Sequence, residues 1–158
     1  MWGMFLCATG GLQRMIIKMS NPDILSKTGR DLLPEETVEY FKEIRSINYY
    51  NVLNKTLSEY TFAEWYVCLD EKVLLEQCLP RYSEKLDMDP LMPGLFSKGE
   101  ILYKITQIDK SFWTDHPDWY EYFRTIIHGV LDMGKEELIN SGIREEYIEV
   151  YIEAYRNY

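Results

Sequence analysis

DKSFWTDHPDWYEYFRTIIHG, residues 109–129, holds four acidic side chains, six aromatic rings and both histidines of the chain within twenty-one positions. Such a density of groups has two readings. Asp115, His116, Asp118 and His128 converge on a metal or a proton-transfer site, or they decorate the start of an amphipathic helix. The order of the residues favours the helix. Thr114, Asp115 and His116 stand where a helix is capped, Pro117 suits the first helical position, and Asp118 suits the positive end of the dipole. From Trp119 onward, at about 100° per residue, Trp119, Tyr120, Phe123, Ile126, Ile127, Val130, Leu131 and Met133 fall within roughly half of the circumference. His128 falls in the other half, beside Glu121, Arg124 and Asp132. The two histidines are twelve residues apart, about 18 Å along a continuous helix, so they cannot share an ion. What is left for chemistry is a ladder of Arg124, His128 and Asp132 on the polar face, suited to a partner contact or a general base. A solvated face is the plainer reading.

The flanking segments read as helices too. Downstream, KEELINSGIREEYIEVYIEAYRNY (135–158) predicts a helical hairpin: Gly142 suits the left-handed position after a helix, and Ile143 suits the hydrophobic contact that folds back. In its second arm Ile143, Tyr147, Ile148, Val150, Tyr151, Ile152, Ala154 and Tyr155 span about 200° of the wheel. An arc that wide implies burial on two sides, or burial on one side and a partner on the other. Glu145, Glu146, Glu149 and Glu153 fill the remainder as an acidic ridge, and Tyr147, Tyr151 and Tyr155 form a second ridge.

Upstream, Ser97 and Glu100 form a capping box ahead of Ile101, Ile105, Ile108 and Phe112. Ile101, Tyr103 and Ile105 also alternate as a strand would, but no second strand is available to pair with them. TFAEWYVCLDEKVLLEQCLP (61–80) opens on the capping box Thr61/Glu64, with Thr56/Glu59 as an earlier start. Phe62, Trp65, Leu69 and Val73 make its inner face, and Pro80 is expected to end it. DLLPEETVEYFKEIRSINYY (31–50) predicts a helix from Pro34 with Val38, Phe41, Ile44 and Ile47 as its apolar stripe. Asn48, Asn51 and Asn54 are then expected to mark its exit into a loop. The prolines and glycines of DMDPLMPGLFSKG (87–99) predict another loop, in which Asp87 and Asp89 are a turn-forming pair more readily than a metal site.

Together these segments predict an all-α fold: a single compact domain over residues 31–158, of about five to six helices, ending in the hairpin. Residues 1–30 are expected to be an N-terminal extension, of which residues 1–18 are poorly ordered or upstream of a true start at Met19. Their apolar run is too short for a membrane helix and lacks the basic flank of a signal peptide.

The formal net charge of the 158 residues is −9. Residues 1–30 hold Arg14, Lys18, Lys27 and Arg30 against Asp23 alone, or +3, which leaves −12 on residues 31–158. A surface this acidic repels phosphate backbones, so direct nucleic-acid binding is disfavoured. A basic protein is the complementary partner, although solubility alone also favours such a charge. Cys7, Cys68 and Cys78 form no zinc spacing and no disulfide framework. Free thiols in this number point to a reducing cytoplasm.

Phosphate loops, nucleophile elbows and HExxH are absent from the sequence. An acidic surface rich in tyrosine and tryptophan, without a catalytic signature, favours a non-enzymatic binding module. Small acidic helical proteins of this character include the bacterial immunity proteins and antitoxins that cap basic nucleases. The chain is similar to them in character, without a shared motif. The expected partner is therefore a basic protein such as a nuclease toxin, with no membrane, no metal and no cofactor. The expected contact residues are Glu145, Glu149, Glu153, Tyr147, Tyr151, Tyr155, His128 and Asp132. Two alternatives stay open: a metal-dependent helical enzyme using Asp87, Asp89, Asp115 and Asp118 with His116 or His128, and an adaptor that forms a homo-oligomer through the terminal tyrosines.

Overall fold

The structure, a computed structural model, describes residues 21–157. Among these it contains eleven α-helices, one 3₁₀ turn and no strand, only an isolated bridge between Thr28 and Thr56. The all-α expectation holds. The helices are shorter and more numerous than expected, because three of the predicted runs, the one carrying Ile101 to Phe112 among them, are each broken in two. The chain divides into two compact units at Pro80/Arg81. The extension expected over residues 1–30 lies mostly outside the described residues. From residue 21 it forms a short helix, and its Lys27 carbonyl accepts the Leu57 amide at 2.9 Å.

The unit ending at Pro80 holds α1 (Pro22–Leu25), α2 (Gly29–Leu32), α3 (Glu35–Glu43), α4 (Ile47–Asn54), the 3₁₀ turn Leu57–Glu59 and α5 (Phe62–Asp70). Helix α5 buries Glu64, Trp65, Tyr66, Val67, Cys68 and Leu69 in succession, so it is enclosed around its whole circumference. It packs on α4, which packs in turn on α2 and α3. The expected single helix from Pro34 instead stops at Glu43 and restarts at Ile47. The asparagines thus lie in a helix, not in a loop. The restart buries Val52 and Leu53, while Asn51 and Asn54 spend their amides on the Glu64 carboxylate and the Tyr50 carbonyl. Rotation at the break turns Ile47 out of the predicted stripe to 68% exposure.

Both capping boxes predicted in this unit form, Thr56/Glu59 on the 3₁₀ turn and Thr61/Glu64 on α5. Pro80, however, does not end the following run. The break comes at residues 71–74, where the Val73 amide bonds the Cys68 carbonyl and the Lys72 amide bonds that of Leu69. This is a Schellman C-cap with Lys72 (φ 55°) in the left-handed position that glycine usually fills. The next helix, α6 (Leu75–Met88), contains Pro80 in its second turn, where one i→i−4 bond is forfeited. Cys68 and Cys78 therefore lie on different helices, both as buried free thiols.

The unit from Arg81 onward holds α7 (Glu100–Thr106), α8 (Lys110–Asp115), α9 (Pro117–Leu131), α10 (Lys135–Asn140) and α11 (Glu145–Asn157). Helix α9 starts as its sequence predicts, with His116 at the cap and Pro117 in the first turn, and buries Trp119, Phe123, Ile126, Ile127 and Val130. The α10–α11 hairpin also forms. Gly142 has φ 93°, and the Ile143 amide returns to the Leu138 carbonyl at 3.0 Å. Helix α11 packs against both α7 and α9, which accounts for its wide apolar arc as burial on two sides.

Candidate partner-binding surface

Glu145, Glu149 and Glu153 stand exposed along α11. Lys135 reaches over from α10 to bond Glu145 at 2.6 Å and Glu149 at 3.0 Å. The bond from Lys135 holds the Glu145 carboxyl below its ordinary range, and the two carboxylates raise the lysine in return. The ridge is thus partly neutralised at its start and open at Glu153. The three tyrosines do not share that exposure. Tyr147 and Tyr151 are 5% and 0% exposed, and only Tyr155 is half-buried.

Tyr155 meets the polar ladder of α9. The Arg124 guanidinium lies 5.0 Å from the centre of its ring, and the His128 imidazole stacks on it at 5.3 Å and 22°. His128 Nε2 is 3.6 Å from Asp132 Oδ1, an ion pair when the histidine is protonated. The ladder is therefore part packing and part surface. His128 and Asp132 are exposed, whereas Arg124 is half-buried with its Nε enclosed and, among the described residues, without a hydrogen-bond partner.

The acids and histidines of the metal alternative are spread over separate structures. Asp87 accepts the Tyr122 hydroxyl at 2.5 Å, and the Tyr122 pKa is raised by burial first and by this bond second. Asp89 accepts the Leu91 amide at 3.1 Å, which is the turn-forming use of aspartate. His116 stacks on Phe112 and bonds its carbonyl through Nδ1. Among the described residues no three His, Cys, Asp or Glu side chains are grouped so as to hold a metal ion. Nor is any helix among them long and apolar enough to cross a membrane.

What periodicity missed is the shape of the 91–99 loop. Its ends are tied by the Gly99 amide on the Leu91 carbonyl at 2.9 Å, and Gly94 N bonds Ser97 O across it at 3.1 Å. Glu100, 3% exposed, turns its carboxylate back to accept the amides of Phe96 at 2.9 Å and Ser97 at 3.2 Å. The predicted Ser97/Glu100 pairing is real, but Gly99 is the helix cap and the carboxylate serves the loop. A side chain at Gly94 would collide with that carboxylate. The buried tyrosines of α11 finish the brace: Tyr147 Oη lies 2.8 Å from Ser97 Oγ, and Tyr151 Oη donates to the Gly99 carbonyl at 2.6 Å. Leu95 and Phe96 project from this framework at 52% and 79% exposure. The signal was present in the sequence as two large apolar residues inside a stretch rich in proline and glycine.

Residues 34–122, more than half of the chain, match the family model of CDI immunity proteins. The match spans α3 to the first turns of α9 and includes the braced loop, while the ridge on α11 lies beyond it. Comparison with curated proteins and with solved structures gives no match. By the extent of the family match, this chain belongs to the CDI immunity proteins.

Proposed function

We propose that the chain is a non-enzymatic inhibitor that binds and neutralises a basic toxin protein, a nuclease being the class that best suits its charge. Family membership carries the reading, because an immunity protein needs something to be immune to. The net −9 supplies the preference for a basic partner. A nuclease surface is cationic where it meets phosphate, and carboxylates facing it steer encounter and discriminate against other proteins. Glu145, Glu149, Glu153, His128, Asp132 and Tyr155 form the steering surface, with Tyr147 and Tyr151 supporting it from within. Two buried free thiols, Cys68 and Cys78, suit action in the reducing cytoplasm.

The test is co-expression with the toxin domain encoded beside this chain. Wild-type protein is expected to restore growth, and the purified pair to associate with an affinity that drops as salt rises. Changing Glu145, Glu149 and Glu153 together to Lys slows association while leaving the helix content intact. Absence of both protection and binding by the wild-type chain refutes the proposal. Unchanged affinity of the triple variant removes the ridge from the interface.

A further inference from the structure

Apart from the single exposed residues Met88 and Ile139, three places among the described residues show large apolar side chains or an unpaired buried group beyond the α11 ridge. One is the outward side of α3 and α4, with Tyr40, Ile47 and Tyr50. The second is the crevice beside Arg124. The third is the 91–99 loop, and it differs from the others in how it is held.

A large apolar side chain at the tip of a loop usually folds inward, since burial removes its apolar surface from water. Here the backbone forbids that. The Phe96 and Ser97 amides are fixed on the buried Glu100 carboxylate, Gly99 is fixed by Leu91 and Tyr151, and Ser97 by Tyr147. A buried carboxylate and two buried phenols are thus committed to holding Leu95 and Phe96 in water. Preset exposure of this kind lowers the ordering cost of binding, which is the property of an interface anchor. Compact loops with closed ends are frequent carriers of such contacts.

We propose that Leu95 and Phe96 are the apolar anchor of this protein for its toxin, inserting into an apolar recess that basic residues surround. The inference rests on the function proposed above and adds the contact that fixes the complex once charge has brought the partners together. Charge also selects the occupant. Residues 81–158 carry fifteen acidic and nine basic side chains, a net −6. The brace stands on α11, the helix that bears Glu145, Glu149 and Glu153. Lys98 at the loop's end turns to the Ser141 carbonyl at 3.2 Å. A surface of this sign repels a second copy of itself and an anionic lipid face, and attracts a cationic protein.

The experiment measures the affinity of the full chain for the toxin domain encoded beside it. Phe96→Ala and the double change Leu95→Ala/Phe96→Ala are compared with wild type and with Tyr50→Ala, a control at another exposed aromatic, on α4. Both loop variants are expected to keep the wild-type melting temperature, since the side chains removed touch little. Kd is expected to rise at least about 30-fold for the double variant, chiefly through faster dissociation, against less than about threefold for Tyr50→Ala. Wild-type binding with an unchanged Kd in the double variant overturns the anchor and leaves the inhibitor reading standing. No wild-type binding at all brings down both. Two further results also overturn it. One is concentration-dependent dimerisation of the chain alone that the double change abolishes. The other is adsorption to phosphatidylserine-containing vesicles that it abolishes.

Discussion

Replacing Glu64 by Gln tests how the unit ending at Pro80 is held together. The Glu64 side chain is 2% exposed. Its Oε2 accepts the Thr61 amide at 2.7 Å and hydroxyl at 2.6 Å, while its Oε1 accepts Lys55 and Asn51, each at 3.0 Å. Burial by itself raises a carboxyl pKa. The bonds from Thr61, Lys55 and Asn51 outweigh it and hold the group at about 2, against an ordinary 4.5. At about 1.4 kcal/mol per tenfold change in proton affinity, that gap corresponds to roughly 3 kcal/mol of folding free energy. The fold favours the ionised form. The contribution is therefore complete above about pH 4.5 and drains away as the pH falls toward 2. Glutamine keeps the size but carries no charge, and its amide group faces donors wherever it turns. Urea unfolding followed by circular dichroism across pH 2 to 7 gives the comparison. Glu64→Gln is expected to be about 3 kcal/mol less stable than wild type at pH 7, with the two curves converging near the acid end. Parallel curves over that range refute the assignment of the stability to this carboxylate.

Glu100→Ala leaves the Phe96 and Ser97 amides without their acceptor, so hydrogen exchange at both should accelerate at least tenfold and stability should fall by about 2 to 4 kcal/mol. Unchanged exchange at residue 96 means that the loop is fixed by something else. Lys72→Gly relieves a left-handed residue at the end of α5 and should raise the unfolding free energy by up to about 1 kcal/mol in urea titration; a loss would contradict the Schellman assignment. In a Cys7→Ser background, Cys68 and Cys78 should react with a disulfide reagent no faster than the protein unfolds. Burial pushes the Cys68 thiol up to about 12 and raises Cys78 well above its usual value.

Helix starts were the most legible part of the sequence. A proline preceded by a capping residue and followed by acid marks a start through local chemistry alone, and Pro117 and Thr61/Glu64 behave accordingly. Stops were harder. At Gly142 the stop is written in the residue, whereas at Lys72 it is made by backbone bonds around a lysine in the left-handed conformation. Pro80 was misread for the complementary reason: proline disfavours a helix interior by an amount that a buried second turn can offset. The acidic ridge was legible because charge on one face follows from spacing. The inward direction of Tyr147 and Tyr151 was not, since it depends on α7 and the 91–99 loop, which are fifty residues away in the chain.

That separation has a consequence for the order in which the parts of the molecule are completed during synthesis. The hydroxyls that lock the loop belong to residues 147 and 151, so about fifty further residues must be added after the loop before Leu95 and Phe96 can be set. Chains that stop short of α11 would lack both of these bonds, even when every residue of the loop itself has been made.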